Sequence, residues 1–453
     1  MGRLFGTDGV RGVANQFLDA QLAYGLGRAG SYILAGETRH TPEIVVGRDT
    51  RISGDMLEAA LIAGICSTGA RALSLGVVPT PAVAALTRIY GADAGIVISA
   101  SHNTYEYNGI KFFDSRGFKL PDPVEDEIER QIAGMNASDS LIPSPEGSRI
   151  GRHIHCKDAA GDYRIFLKEK VKGLNLKGMR IALDCANGAV SPVAPALLAE
   201  LGADVLPIHA EPDGCNINQD CGSTHMESLC MHTRKSGAHI GLAFDGDADR
   251  MLAVDETGRI LDGDVIMSIL AVDMQKRGVL NGSALVATVM SNIGLELMAH
   301  REGLKLIKTK VGDRYVLEQM LAEGYVLGGE QSGHIILGRD NTTGDGLLTA
   351  LKLLEVMGST GESLARLAKV MEVFPEVLVN ARVKWEKKDH YSEDTEIAAA
   401  IMDLEQEFNG EGRVLVRPSG TEPLIRIKIE GRDHGSIRKR AEMLAEIMER
   451  KLS

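Results

Sequence analysis

Three times along this chain a short run of β-branched and aliphatic residues gives way to a longer stretch of helical periodicity. That rhythm restricts the fold to a layered α/β architecture. The first round begins with EIVVG (43–47) and SGDMLEAALIAGICSTG, then ALSLG, AVAALTRIYG and GIVIS. The second holds MRIALDCANG, SPVAPALLAELG, ADVLPIHA and HIGLAFDGDADRMLAVD. The third holds ALVATVMSN, IGLELMAHREG, LKLIKTKVGDRYVLEQMLAEG and YVLGGEQSGHIIL, and identity between the rounds is weak. The tail has few strands and two helical patterns, EDTEIAAAIMDLEQEF and SIRKRAEMLAEIMERKL, which predict a smaller α+β domain. A polar, Gly- and Ser-rich stretch at 135–153 marks a first boundary. With a second near 255–263 and a third near 370, the expected domains are 1–150, 151–255, 256–369 and 370–453.

A chain of 453 residues is long enough for several cores. Its formal charge of -12, with no block of consecutive lysines and arginines, argues against nucleic acid as a partner. No apolar run reaches membrane-spanning length, and the first residues lack an apolar signal core, so a cytoplasmic protein without a membrane partner is expected. The six cysteines contain no CxxC pair, which disfavours a disulfide framework or a zinc site. Cys215 and Cys221 could pair redox-dependently, but no chemistry is assigned to them.

The most specific local signal is FDGDADRM. In an extended segment Asp245, Asp247 and Asp249 share one face, and their mutual repulsion calls for a hard divalent cation. An EF-hand loop would need Gly where Arg250 stands, so calcium of that kind is excluded and magnesium is expected. GIVISASHNTYEYNGIKFF (95–113) delivers Ser99, Ser101 and His102 to the carboxyl end of a strand, where α/β sheets place ligands. A serine there can be a mere cap or turn residue. Beside a metal site, Ser101 becomes a candidate nucleophile or phosphate carrier, with His102 as donor or proton shuttle. No GxSxG elbow surrounds it.

GGEQSGH (328–334) offers Glu330, Ser332 and His334 between glycines, a set suited to a polyhydroxylated ligand or to an ordinary hairpin. RPSGTEP (417–423) offers Arg417, Ser419, Gly420 and Thr421 as an anion-binding nest, or a plain turn. In FGTDGVRG and VGRDTRISG, Arg11 is the candidate for the active site, whereas Arg48, Asp49 and Arg51 read as a structural ion-pair knot.

The serine loop, the aspartate triplet, the Glu-Ser loop and the arginine-serine turn occur in that order, one per expected domain. The order resembles the α-D-phosphohexomutase superfamily over essentially the whole chain. FGTDGVRG, NINQDCGSTH (216–225), VGDRYV (311–316) and Gln331 make it most similar to the branch acting on glucosamine phosphates. One departure is Thr104, where the family often has Pro, which puts the rigidity of the serine loop in doubt.

The resemblance implies three related α/β domains, with mixed sheets between helices, and a C-terminal α+β domain like the TATA-binding protein. It implies an isomerase that interconverts hexosamine 6- and 1-phosphates, feeding amino-sugar nucleotide and cell-wall precursor synthesis. Ser101 would be phosphorylated in the active form and would join Asp245, Asp247 and Asp249 around one Mg²⁺. Arg250 would neutralise charge on the transferring group. Lys111, His334 and Arg11 would serve proton transfer or leaving-group stabilisation, and His102 would support them. Glu330 and Ser332 would hold sugar hydroxyls, and the turn from Arg417 to Thr421, with Arg426, a second phosphate. Closure of the C-terminal domain would exclude water. Family members are often homodimers; the sequence leaves oligomeric state open. The alternatives are a phosphoglucomutase or phosphomannomutase with the same apparatus, a metal-dependent phosphatase, and a non-catalytic sugar-phosphate sensor.

Overall fold

A computed structural model describes residues 3–6, 8–36, 40–136, 142–419 and 422–453. The chain divides into two compact units, residues 1–290 with 303–370, and residues 291–302 with 371–453.

The first unit holds three sheets. Strands β1 (Val10–Val13), β2 (Glu43–Arg48), β3 (Arg71–Val77), β4 (Ala94–Ile98), β5 (Tyr107–Asp114) and β6 (His153–His155) form the first, in the order β1-β5-β4-β2-β3-β6. The second contains β7 (Arg180–Asp184), β8 (Asp204–Ile208), β9 (Ile240–Phe244), β10 (Met251–Asp255) and β11 (Ile260–Leu261), ordered β11-β10-β9-β7-β8. The third contains β12 (Ala284–Thr288), β13 (Lys305–Thr309), β14 (Leu327–Gly329) and β15 (Ile335–Leu337), ordered β13-β12-β14-β15. Strands β4, β9 and β12 are buried along their whole length, as expected where helices cover both faces of a sheet.

One arrangement recurs in all three sheets. A central strand (β2, β7 or β12) pairs in parallel on one side with the strand next in sequence and on the other with β4, β9 or β14. Each of these last three then turns back in an antiparallel hairpin. The hairpin loops follow Ile98, Phe244 and Gly329. They carry the serine, the aspartates and the Glu-Ser-His group, so the same topological position delivers each motif.

Helix starts are set by side-chain caps. Asp19 accepts from Leu22 N, Asp262 from Val265 N and Asp345 from Leu348 N. Helices Ala20–Ala35 and Ser53–Ser67 pack closely because Gly27 and Gly64 have no side chain. A Cβ at either would stand 2.2 Å from a carbonyl oxygen of the facing helix. Beneath them, Leu26, Leu57, Ile44, Ile96 and Phe112 belong to the core of the first sheet.

The second unit is α+β. Its antiparallel sheet runs β16 (Glu376–Arg382), β18 (Leu424–Gly431), β17 (Gly412–Pro418), with helices Thr395–Phe408 and His434–Leu452. Alternate residues of β18, Ile425, Ile427 and Ile429, are fully buried in a core with Ile437, Leu444 and Met448.

Candidate active site

Ser101 is buried and holds a left-handed backbone, φ 50°, uncommon for a residue with a side chain. Its neighbours impose this. The fully buried Arg51 donates to the carbonyls of Ser101 and Asn103 while pairing with Asp49. Asn218 donates to the same two carbonyls, at 2.8 Å each, and Ser99 Oγ accepts from Ser101 N at 3.0 Å. Thr104 is exposed, and the carbonyl of Asn103 before it is held by both Arg51 and Asn218. Gly246 is required beneath it, because a Cβ there would lie 2.6 Å from the Ser101 carbonyl.

The Ser101 hydroxyl donates to Asp245 Oδ2 at 2.6 Å and lies 3.4 Å from His102 Nδ1. Pairing of Phe244 with Met251 closes the loop that carries Asp245, Asp247, Asp249 and Arg250. All three carboxylates are buried, and one oxygen of each lies within 4.8 Å of the others. Thr80 Oγ1 and Lys111 Nζ both donate to Asp247 Oδ2, at 2.7 and 3.1 Å. Asp247 Oδ1 and Asp249 Oδ1 have no hydrogen-bond partner among the described residues. Two orphaned, buried carboxylate oxygens beside a third carboxylate form a donor set that fits a hard divalent cation.

The electrostatics follow from that crowding. Burial, then the charges of Asp249 and Asp247, push the Asp245 carboxyl well above the usual range. Burial would raise Asp249 as well, but His334, Lys111 and Arg250 hold it far below. His334 is buried, with Nδ1 3.5 Å from Asp249 and Nε2 3.4 Å from Asp313, and accepts from Gly344 N at 3.2 Å. Burial opposes its charge and Asp249 overrides it, raising its pKa. Lys111 is equally buried, 2.8 Å from Asp8, and burial is again outweighed by Asp247, Asp8 and Asp249, which keep it protonated. His102 behaves oppositely. Burial, Arg250 and Arg11 lower its pKa and favour the neutral ring.

Asp8 ties Arg11, at 2.8 Å, and Lys119, at 2.7 Å, to Lys111. Arg250 donates its backbone N–H to Asp245 Oδ1 at 3.2 Å, and its charge interacts with Asp249, Asp245 and Glu330. Glu330 Oε1 accepts from Gly312 N at 3.1 Å, and Ser332 is exposed in the same hairpin loop. The first unit thus brings Ser101, His102, Lys111, the three aspartates, Arg250, Arg11 and His334 into one charged network. Arg48 instead pairs with Asp55 and Glu58.

In the second unit Arg417 on β17 stands directly opposite Arg426 on β18. Like charges across a ladder repel, and an anion would relieve them. Ser419 is buried, its carbonyl accepting from Lys388 Nζ at 2.8 Å. Gly420 and Thr421 lie outside the described residues. Sequence reasoning missed Thr80, Asn218, Asp8 and Lys388. Two local signals were present: the FGTDGVRG loop contains Asp8, and NINQDCGSTH contains Asn218.

Comparison with known proteins agrees with this fold. Four families match consecutive segments: phosphoglucomutase/phosphomannomutase α/β/α domains I (2–138), II (162–258) and III (262–374), and the C-terminal domain (378–447). A solved phosphoglucomutase/phosphomannomutase family protein from Burkholderia thailandensis shares the fold, with TM-score 0.80 and 24% identity over 98% of each chain. The N-acetylphosphoglucosamine mutase of Aspergillus fumigatus, solved with GlcNAc-6P and magnesium, does so at TM-score 0.65 and 18% identity, over 99% of this chain and 96% of that one. Fold and site therefore define a phosphohexomutase of the phosphoglucomutase/phosphomannomutase class. The phosphoglucosamine mutase of Acetivibrio thermocellus is 58% identical over 100% of both chains, and this protein belongs to the phosphoglucosamine mutase family.

Proposed function

We propose that this protein interconverts glucosamine 6-phosphate and glucosamine 1-phosphate by way of a phosphorylated Ser101 and a bisphosphorylated sugar. The 2.6 Å contact between Ser101 Oγ and Asp245 carries the reading, because it sets a hydroxyl on a strained turn against carboxylates suited to a divalent cation. In the forward direction the sugar's free 1-hydroxyl attacks the phosphoryl group on Ser101. The bond from serine oxygen to phosphorus breaks as the new oxygen–phosphorus bond forms. The bisphosphate turns over in the site, and Ser101 Oγ takes the other phosphoryl, so the enzyme ends as it began.

Asp245, Asp247 and Asp249, with phosphorylated Ser101, would hold one Mg²⁺, whose charge would stabilise the phosphoryl group in transfer. Lys111, fixed in its charged form by Asp8 and Asp247, and Arg250 serve electrostatic stabilisation on the same face. His102 is the best base for the attacking hydroxyl, since its ring is held neutral. Its Nδ1 lies 3.4 Å from Ser101 Oγ. His334 orients Asp249, and Arg11 adds charge through Asp8. Glu330 and Ser332 are assigned to sugar hydroxyls, and Arg417, Ser419 and Arg426 to the second phosphate.

Intact mass of the purified protein should show one phosphate, mapped to Ser101. Ser101→Ala should abolish turnover; a tenth of the wild-type rate would refute Ser101 as carrier. Steady release of inorganic phosphate would identify a phosphatase, and ligand binding without turnover a sensor. Faster turnover on glucose or mannose 6-phosphate would move the substrate assignment.

A further inference from the structure

A second set of metal-ligating side chains lies at the carboxyl ends of β7 and β8, outside the aspartate loop. Asp184 closes β7 and is fully buried, His209 follows β8, and Cys221 is a buried free thiol. One carboxylate oxygen, one ring nitrogen and Sγ lie within 4.8 Å of one another. His209 Nδ1 stands 3.0 Å from Asp184 Oδ2, shielded from solvent, and this pairing with the carboxylate outweighs burial and raises the ring's pKa. Carboxylate, ring nitrogen and sulfur thus present three donors of different softness to one small space. The Asp184 carboxylate is already fixed in place. Its Oδ1 accepts from Ala186 N at 2.9 Å and keeps a further lone pair, while its Oδ2 accepts from Gly222 N at 3.0 Å and also faces His209 Nδ1.

The aspartate loop offers only oxygen and suits magnesium, whereas this set offers sulfur, nitrogen and oxygen, the combination that selects zinc. We propose that Asp184, His209 and Cys221 form a zinc site distinct from the magnesium site, with a fourth position left to water. On ligation Cys221, whose thiol burial and the nearby Asp184 and Asp220 push up to about 12, releases its proton to solvent and binds as thiolate, and His209 Nδ1 gives up the proton it shares with Asp184. Closing the three atoms around an ion at roughly 2.0–2.3 Å requires movement mainly of His209, whose side chain keeps 30% of its surface exposed. The segment between His209 and Cys221 carries Asn218, which holds the carbonyls of Ser101 and Asn103. Zinc would therefore brace the loop that supports the serine, whichever sugar the enzyme handles.

Cobalt(II) provides the test, titrated into the full-length protein with magnesium in excess. The expected result is a near-ultraviolet thiolate-to-cobalt band that one equivalent of zinc removes. Cys221→Ser and His209→Asn should each abolish the band and weaken zinc binding at least about 100-fold, with circular dichroism showing both folded. Asn is chosen at 209 because it tolerates the positive φ of 48° found there. Cys215→Ser should keep the band. Absence of the band in the wild type, its survival in either ligand variant, or its loss in Cys215→Ser would overturn the site.

Discussion

Thr80 Oγ1 donates to Asp247 Oδ2 at 2.7 Å, and Thr80 N donates to the Asp247 carbonyl at 3.0 Å. The first residue of helix Thr80–Ile89 thus fixes a carboxylate that is 167 residues away in the chain. With Oδ2 occupied, Oδ1 is the oxygen left for a cation. Thr80→Val keeps the shape and removes the donor. It should raise the magnesium concentration for half-maximal activity about 10- to 100-fold, with a matching loss in calorimetric affinity and recovery at saturating magnesium. Thr80→Ser should behave like wild type.

Arg51 and Asp49 form an ion pair with side chains 0% and 1% exposed. Removing one partner leaves a buried charge uncompensated, at about 3–5 kcal/mol. Arg51→Met should lower the melting temperature by about 5 °C. The double variant Arg51→Met with Asp49→Leu should regain most of that, since no lone charge remains. It should not regain activity, because Ser101 and Asn103 have lost one of the two donors that set their loop.

Burial pushes the Glu125 carboxyl up to about 7, with Arg3 acting against it and Asp122 with it. A raised folded-state pKa means that the native state prefers the protonated form. Below the unfolded value near 4.5 there is no penalty; it grows as pH rises and is complete above about 7. Glu125→Gln should therefore melt higher than wild type at pH 8 and equally at pH 4, with a shallower slope between. Equal melting temperatures at pH 8 would rule this out.

Much of this was legible in the sequence. The βα rhythm predicted the layered units because β-branched runs and helical periodicity are local signals. Ser101, the aspartates and Glu330 stood out because each motif packs its polar residues into one short loop. Thr80, Arg51 and Asn218 were not legible as site residues. A Thr-Pro at a helix start reads as a cap, a buried Arg as an ion pair, an Asn in a loop as a turn, and only tertiary contact gives each its role. The equivalence of the three hairpins was also invisible, since it resides in strand order and not in matching residues. Likewise β6 is exposed at all three positions and gives no alternation to read.

Asp245 and Asp249 respond oppositely to the same burial, and this gives a test for the cation site. Without metal, burial and the negative neighbours favour the protonated form of Asp245, while His334, Lys111 and Arg250 favour the ionised form of Asp249. A divalent cation favours the ionised form of every ligand, so binding must expel the Asp245 proton. Affinity should therefore rise with pH until Asp245 ionises by itself, and level off above that point. Calorimetric titration of the dephosphorylated protein with magnesium, repeated at one pH in buffers of different ionisation enthalpy, counts the proton released. A release above zero is expected at pH values below the point where Asp245 ionises, falling toward zero in Asp245→Asn. Heats independent of buffer would show that Asp245 is already ionised and that the carboxylates do not share charge in this way.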